Sequence, residues 1–376
     1  MHEKLKEYFR LEQVKLLTDA SIIRMLGKYD TAEECRELSD DELCIFGVSK
    51  SAIRNLRQGS FSDDKYNSQI ELLQAFNRSV CIVTIFDEDY PANLKNIYDP
   101  PPFLYYEGTL SSRDNISVAI VGSRSLSRSG IYTVNRLSRE LALAGFVIVS
   151  GLAMGADTVA HIGALEIGKR TVSVLGSGID KEVNASSRKT RKRIVEEGGA
   201  VFSQFPIGTE ATNYTFPARN RIISGMSLGV VIGEAKKDSG SLITANFALE
   251  QGKEVFAIPN EIFNLKYEGG NNLIKTGQAK LIMNVEDIIE EFPDRIRNRL
   301  TSQCSCSCED KTSLRTFTDE TEERIYNMLI EKKMNVDELS DLTGLDTGIL
   351  MGKLFMLEMN KLILREPNNY FSIARK

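Results

Sequence analysis

At 376 residues with 42% apolar content, the chain is long enough for two or three domains with real cores, because domains of roughly 100 to 200 residues are the norm. A formal net charge of -5 excludes a generally basic nucleic-acid binder, so any contact with DNA has to come from where the charges sit. Six cysteines (Cys35, Cys44, Cys81, Cys304, Cys306 and Cys308) are too few and too unevenly placed for the disulfide framework of a small secreted domain, and they suit a reducing cytoplasm.

The first sixteen residues alternate charged and apolar positions without a continuous apolar run, and no later stretch approaches the roughly 20 apolar residues of a membrane span. A cytoplasmic, soluble protein with no membrane partner is expected. Residues 1–76 read as a small helical domain: Leu16, Ile22, Ile23, Leu26, Leu38, Leu43 and Ile53 are spaced for one apolar face, with breaks at Gly27, Gly47 and Gly59. The segment Phe46-Gly47-Val48-Ser49 is similar to a helix-hairpin-helix turn, but Ser49 replaces the second glycine, and packing is the expected role.

An apolar strand at 81–86 opens a core expected over 77–285, followed by a proline-rich stretch (Pro91, Pro100, Pro101, Pro102) that cannot be helical, since proline lacks the amide donor. Short β-branched runs follow at 118–121, 146–149, 171–175, 230–232 and 255–258, each with a glycine turn and a helical stretch after it. That alternation predicts parallel strands with crossover helices, an α/β fold of the Rossmann-like, doubly wound, mostly parallel kind. Residues 286–316 are polar and lack sustained periodicity, so a linker is expected; three cysteines without a nearby histidine do not make a closed zinc site, and neither metal nor cofactor is expected. From 317 to 376, three helical stretches and a hairpin around Pro367-Asn368-Asn369 describe a winged helix. Its third helix offers only Lys353, Asn360 and Lys361 for base contacts, which speaks against sequence-specific reading.

Chemistry concentrates at strand ends. Gly122-Ser123-Arg124 ends the first core strand and would set amides, a hydroxyl and a cation at the carboxyl edge of the sheet, an anion site. Ser150-Gly151, continuing through Gly155-Ala156-Asp157, makes a second such turn. Asp157 and His161, four apart on one helix, read as a structural pair rather than a general base, because no nucleophile motif accompanies them. Phe216-Pro217-Ala218-Arg219-Asn220-Arg221, beside Tyr214, combines cations for phosphates with rings on which an unpaired base can stack, at roughly 1 to 3 kcal/mol per base. Ser239-Gly240-Ser241 through Thr244 starts a helix with small hydroxyls, another anion cradle. Between Arg113 and Arg221 there are 15 Lys or Arg against 9 Asp or Glu, densest at Lys181, Arg188, Lys189, Arg191, Lys192 and Arg193.

Six segments in this order, IVGSR (120–124), SGLAMGADTVAH (150–161), VLGSGID (174–180), FPARNRIISG (216–225), SGSLITA (239–245) and GNNLIKTG (270–277), resemble the DNA-processing protein A family, DprA or Smf, from about Tyr90 to Ala279. The resemblance implies an extended Rossmann-like core with an N-terminal small helical (SAM-like) domain and a C-terminal winged helix. It implies a non-catalytic protein that binds and protects single-stranded DNA, dimerises, and helps load the RecA recombinase during natural transformation or recombination. Carried over, Gly122, Ser123 and Arg124 hold a backbone phosphate, Arg219 and Arg221 line the same pocket, and Asn220 with the Ser239 to Thr244 turn shapes it. The chain departs from the family after Asp180, where Tyr-Pro and then Asn with a basic residue are usual; here Val183-Asn184 and Ser187-Arg188-Lys189 follow, with Arg188 or Lys189 replacing the usual cation. Gln278 stands where alanine is common. Two alternatives are a nucleotide hydrolase of the lysine-decarboxylase-like class, whose catalytic glutamate has no well-placed counterpart (Glu250 lies too far along), and a nucleotide-sensing winged-helix regulator.

Overall fold

The computed structural model describes residues 3–76, 79–181, 185–306, 320–331, 333–359, 363–366 and 370–373. They fall into two compact units, Met1–Ser305 and Cys306–Lys376.

The first unit begins with six short helices: α1 (Glu3–Glu12), α2 (Asp19–Leu26), α3 (Ala32–Glu37), α4 (Asp40–Ile45), α5 (Lys50–Gln58) and α6 (Asp64–Ala75). Their ends are set locally, with capping boxes at Thr31/Glu34 and Ser39/Glu42 satisfying orphan amides in both directions. Ser49, in the position of the missing glycine, accepts from the Ala52 amide and caps α5, so its hydroxyl belongs to the helix start. The helices bury Leu5, Phe9, Ile22, Met25, Leu26 and Leu56 against Ile82, Phe103 and Tyr105 of the hairpin described next.

That hairpin, β1 (Val80–Thr84) and β2 (Phe103–Gly108), flanks the short helix α7 (Ala92–Lys95). The chain continues through β3 (Ser117–Val121), α8 (Arg128–Ala144), β4 (Val147–Ser150), α9 (Ala156–Leu165), β5 (Thr171–Val174), α10 (Ala185–Glu196), β6 (Ala200–Ser203), α11 (Thr215–Met226), β7 (Gly229–Ile232), α12 (Gly240–Glu250), β8 (Glu254–Ala257), α13 (Glu268–Lys275), β9 (Lys280–Leu281), α14 (Glu286–Ile289) and α15 (Asp294–Cys306). The nine strands form one sheet in the order β1-β2-β6-β5-β4-β3-β7-β8-β9, parallel from β6 to β9, with antiparallel β2 against β6. The doubly wound, mostly parallel sheet expected from the β-branched runs is therefore present, widened on one side by the hairpin.

Alternate residues along the buried strands feed two cores, one per face. Ala119, Val149, Val174, Phe202 and Val230 pack with Ile222 and Ile223 of α11 and Ala245 and Ala248 of α12. Val118, Ile120, Ile148 and Val231 pack with Val134, Leu137 and Leu141 of α8 and Ala160 and Ala164 of α9.

Residues 286–306 are not the linker expected of them. Ile288, Phe292 and Leu300 are buried in the second core, with the Phe292 ring centroid 5.7 Å from that of Phe146 and 6.3 Å from that of Phe256. With the partly buried Ile296 they recur every four residues, a helical spacing, but Pro293 interrupts it between α14 and α15 and surrounding charges mask it. Residues 307–319, Cys308 among them, and the side chains of Cys304 and Cys306 lie outside the described residues.

The second unit comprises α16 (Glu320–Glu331), β10 (Met334–Asn335), α17 (Val336–Thr343), α18 (Thr347–Met359), β11 (Ile363–Glu366) and β12 (Tyr370–Ile373). Its strands pair antiparallel in the order β10-β12-β11 over Ile325, Leu329, Leu339, Leu350, Leu354 and Phe371, a winged helix. Lys353 of α18 lies 3.6 Å from the buried Glu322; Asn360 and Lys361 lie outside the described residues.

Candidate nucleic-acid interface

The winding of the sheet reverses beside β3: β4, β5 and β6 build to one side, β7, β8 and β9 to the other. A crevice opens at such a switch point because neighbouring crossovers leave in opposite directions. Here it is a cleft of about 370 Å³ lined by residues that follow β3 (Gly122 to Ser125), β4 (Ala153, Asp157) and β7 (Lys236, Asp238 to Ser241), with Thr244, Phe216, Arg219 and Asn220.

The first turn is clamped from both sides. Ser123 donates its amide to Glu234 O (2.7 Å) and accepts from the Ala156 amide (3.1 Å). Approach this close excludes side chains: a Cβ on Gly122 would stand 2.9 Å from that of Ala156, and one on Gly155, whose φ is +87, would stand 2.3 Å from Ser123 O. The Ser123 hydroxyl accepts from the Ser125 amide (3.0 Å), shaping the turn. Arg124 is exposed, with its guanidinium carbon 4.9 Å from the centroid of the Phe216 ring.

Arg219, 5.9 Å from the centroid of the same ring, is buried where Arg124 is exposed. It is 5% exposed; Nη1 donates to Gly151 O (2.6 Å) and Val174 O (2.7 Å), and Nε to Asn220 Oδ1 (3.0 Å). Gly151 is glycine because the guanidinium occupies the place of its side chain, 1.9 Å from an added Cβ. Burial presses the Arg219 guanidinium below its ordinary value, an effect that Asp157 opposes. Burial likewise pushes the Asp157 carboxyl up, against the charge of Arg219 and the amides of Ala153 and Gly151. The floor of the cleft thus holds a buried guanidinium and a buried carboxyl that feel each other's charge, and the bond from Arg219 to Gly151 O fixes the second turn.

Asn220 carries this order onward, donating to Gly240 O (3.2 Å) at the start of α12. There Ser239 caps the helix, accepting from the Ser241 amide, and its Oγ lies 2.7 Å from that of Ser241. Nothing lies within 4 Å of a Cβ built on Gly240, so the helix start faces open space. A hydroxyl-rich helix N-terminus beside Arg124 and Lys236 favours an anion.

The other expected site residues lie elsewhere. The Ser150 hydroxyl donates to Ile120 O (2.6 Å) inside the sheet. Arg221 turns away from the cleft: Nη2 donates to Gln204 Oε1 (2.7 Å), and Nη1 donates to Asp99 O and lies 3.5 Å from its carboxylate. Arg219 and Arg221 consequently do not line one pocket, since two residues apart on a helix point to different sides. Arg188 and Lys189 are exposed on α10 and do not line the cleft. In the same basic run Arg191 is buried, holding Glu107 (2.8 Å) and Ile179 O (2.7 Å), and Lys192 and Arg193 pair with Glu196 and Glu197.

Asp157 and His161 do not pair as expected. Asp157 accepts from the Ala153 amide (3.4 Å), whereas His161 Nδ1 lies 2.7 Å from Thr171 Oγ1. Thr171 gives its only hydroxyl hydrogen to Ile148 O (2.7 Å), so it accepts from an Nδ1–H of the imidazole. Burial drives the His161 pKa down to about 3, leaving a neutral ring with no exposed surface.

Sequence reasoning missed Lys236 and Asp238, which line the cleft, and Glu234, which clamps it. The Glu234 carboxylate accepts from the Ser127 amide (2.9 Å) and hydroxyl at the start of α8, and Gly130 leaves room for it. The signal was available in Glu234-Ala235-Lys236-Lys237, three charged residues in four just after the apolar run 230–232.

The family described as DNA recombination-mediator protein A matches residues 81–293, and the DprA winged helix domain matches residues 310–369. The chain is 36% identical over 276 residues to the DNA processing protein DprA of Streptococcus pneumoniae, covering 73% of this chain and 94% of that one. It is 40% identical over 215 residues to the Bacillus subtilis protein of the same name, covering 57% and 71% respectively. The X-ray structure of the S. pneumoniae protein superimposes with a TM-score of 0.62 at 34% identity, over 77% of this chain and 98% of that one. DNA processing protein A of Helicobacter pylori, described for its single-stranded DNA binding mode, superimposes with a TM-score of 0.51 at 28% identity, over 60% and 98%. With the clamped turns, the switch-point cleft and the winged helix in one chain, these matches lead to one conclusion: the chain belongs to the DNA recombination-mediator protein A family, DprA/Smf.

Proposed function

We propose that the protein binds and protects single-stranded DNA without cutting it, and that it helps load the RecA recombinase during natural transformation or recombination. One observation carries the binding: the switch-point cleft joins an exposed guanidinium, Arg124, to an open helix start at Ser239-Gly240-Ser241, with the half-buried Phe216 ring between cations. A backbone phosphate sits at Ser123 and Arg124, and bases lie against Phe216 and the exposed Tyr214. Arg219 acts from beneath as the support of the second turn. Kinship with the family supports the RecA role and self-association; Ile262, Phe263 and Leu265, exposed side by side after β8, offer apolar surface for the latter.

Against hydrolysis stand two placements. Glu250 is the last residue of α12, about 9 Å along the helix from Thr244, the last cleft residue on it, and His161 is neutral and sealed from solvent.

Fluorescence anisotropy of a labelled single-stranded oligonucleotide, competed by duplex DNA and by mononucleotides at two salt concentrations, tests the reading. Tight, salt-sensitive binding that neither competitor displaces is the expected result; displacement by a mononucleotide transfers the site to a nucleotide enzyme or sensor.

A further inference from the structure

Helix α8 begins where the cleft ends. Ser125 lines the cleft, Arg128 is the first residue of the helix, and between them the Ser127 amide is held by the Glu234 carboxylate (2.9 Å). Past this clamp the surface stays furrowed. A hollow of about 80 Å³ lies against Ser129, Thr133, Glu234 and Ile258, and one of about 250 Å³, sharing Thr133 and Ile258 with it, lies against Tyr132, Arg136 and Met283. The first hollow abuts the cleft, since Ser129 follows Ser125 by one helical turn and Glu234 stands two residues from Lys236. Glu234 presents no open charge on the way, being 3% exposed with its carboxylate on Ser127.

The outer face of α8 is basic and carries a ring. Arg128, Tyr132, Arg136 and Arg139 fall within about 80° of one another around the helix, and all four are exposed. Glu140 accepts from Arg136 (2.7 Å), and the Tyr132 side chain adds to that hold. Arg128 and Arg139 have no acidic partner among the described residues. Folding gains nothing from a cation at Arg128, because the first turn of a helix favours acids, and this one has none. Tyr132, 64% exposed, adds little to the core. Free guanidiniums around an open ring, beside a furrow continuous with the cleft, suit an unpaired strand: the charges hold its backbone, and stacking asks only for a flat face.

We infer that the strand leaves the cleft along α8, with a base stacked on Tyr132 and phosphates on Arg128 and Arg139. Arg139 lies about 16 Å along the helix from Arg128, roughly five nucleotides at the stacked spacing of about 3.4 Å. The inference rests on the single-stranded DNA reading above and gives the strand its direction out of the cleft.

The chain has no tryptophan of its own, so Tyr132→Trp introduces a single reporter on this face. Oligothymidylates of about 4 and about 16 nucleotides are titrated into full-length wild type, Tyr132→Trp, Tyr132→Ala and Arg139→Ala, with anisotropy of the DNA and tryptophan emission read at several salt concentrations. The expected result is quenching by the longer strand alone, and for Tyr132→Ala a loss of roughly 5- to 150-fold on the longer strand with the shorter unchanged. For Arg139→Ala the slope of log affinity against log salt becomes shallower by about 0.7, again on the longer strand alone. Bound long strand without quenching, together with wild-type affinity in Tyr132→Ala, overturns the α8 path and leaves the cleft standing. Equal losses on both lengths overturn it as well, because the short strand ends within the cleft. Absence of binding by wild type to either length removes path and cleft together.

Discussion

The guanidinium of Arg219 stands where a side chain on Gly151 would be, although the two residues lie 68 positions apart in the chain. The second turn of the sheet edge is therefore completed by α11. Gly151→Ala must displace Arg219 from the carbonyls of Gly151 and Val174, and a loss of about 1–3 kcal/mol is expected in urea unfolding. Single-stranded DNA affinity falls at least tenfold in the same variant, by anisotropy.

Removing the cation itself costs more. Arg219→Met leaves two buried carbonyls without a donor, at about 1–3 kcal/mol each, and strips Asp157 of its charge neighbour. Arg219→Lys restores the charge but not the fork that reaches both carbonyls, so it recovers only part of the stability. Thermal unfolding of wild type and both variants gives the order.

Arg124 is predicted to behave in the opposite way. It is exposed and holds no part of the fold together, so Arg124→Ala unfolds at the wild-type temperature. Its DNA affinity drops, and the slope of log affinity against log salt becomes shallower by about one phosphate contact.

His161 sets a pH dependence. Its folded pKa is pushed down to about 3 by burial, from an ordinary 6.5, so below pH 6.5 the unfolded chain takes up a proton that the folded one refuses. Its contribution to stability is complete above pH 6.5 and is lost as the pH falls toward 3, with a slope of at most about 1.4 kcal/mol per unit. His161→Gln, compared with wild type by urea unfolding at each pH, is expected to be flatter by that slope.

The parallel strands were legible because buried strands of an α/β sheet need β-branched side chains on both faces, and 118–121, 171–175 and 230–232 supply them. Ala200–Ser203 escaped notice, having one β-branched residue in four, and Phe103–Gly108 was hidden behind three prolines. At the site, local patterns revealed the turns at Gly122, Gly151 and Ser239. They did not separate Arg219 from Arg221, or expose Arg191 as a buried brace, because side-chain direction on α10 and α11 depends on what packs against each helix. The same holds for His161, whose partner Thr171 lies on the next strand.

The three walls of the cleft come from residues 121–125, 153–157 and 216–244, and the Arg219 bonds to Gly151 and Val174 tie the last to the others. A chain emerging from the ribosome can therefore complete β3, β4 and β5 with their helices and still have no floor beneath the second turn. The cleft proposed above to hold DNA is therefore whole only after α12 has been synthesised and docked.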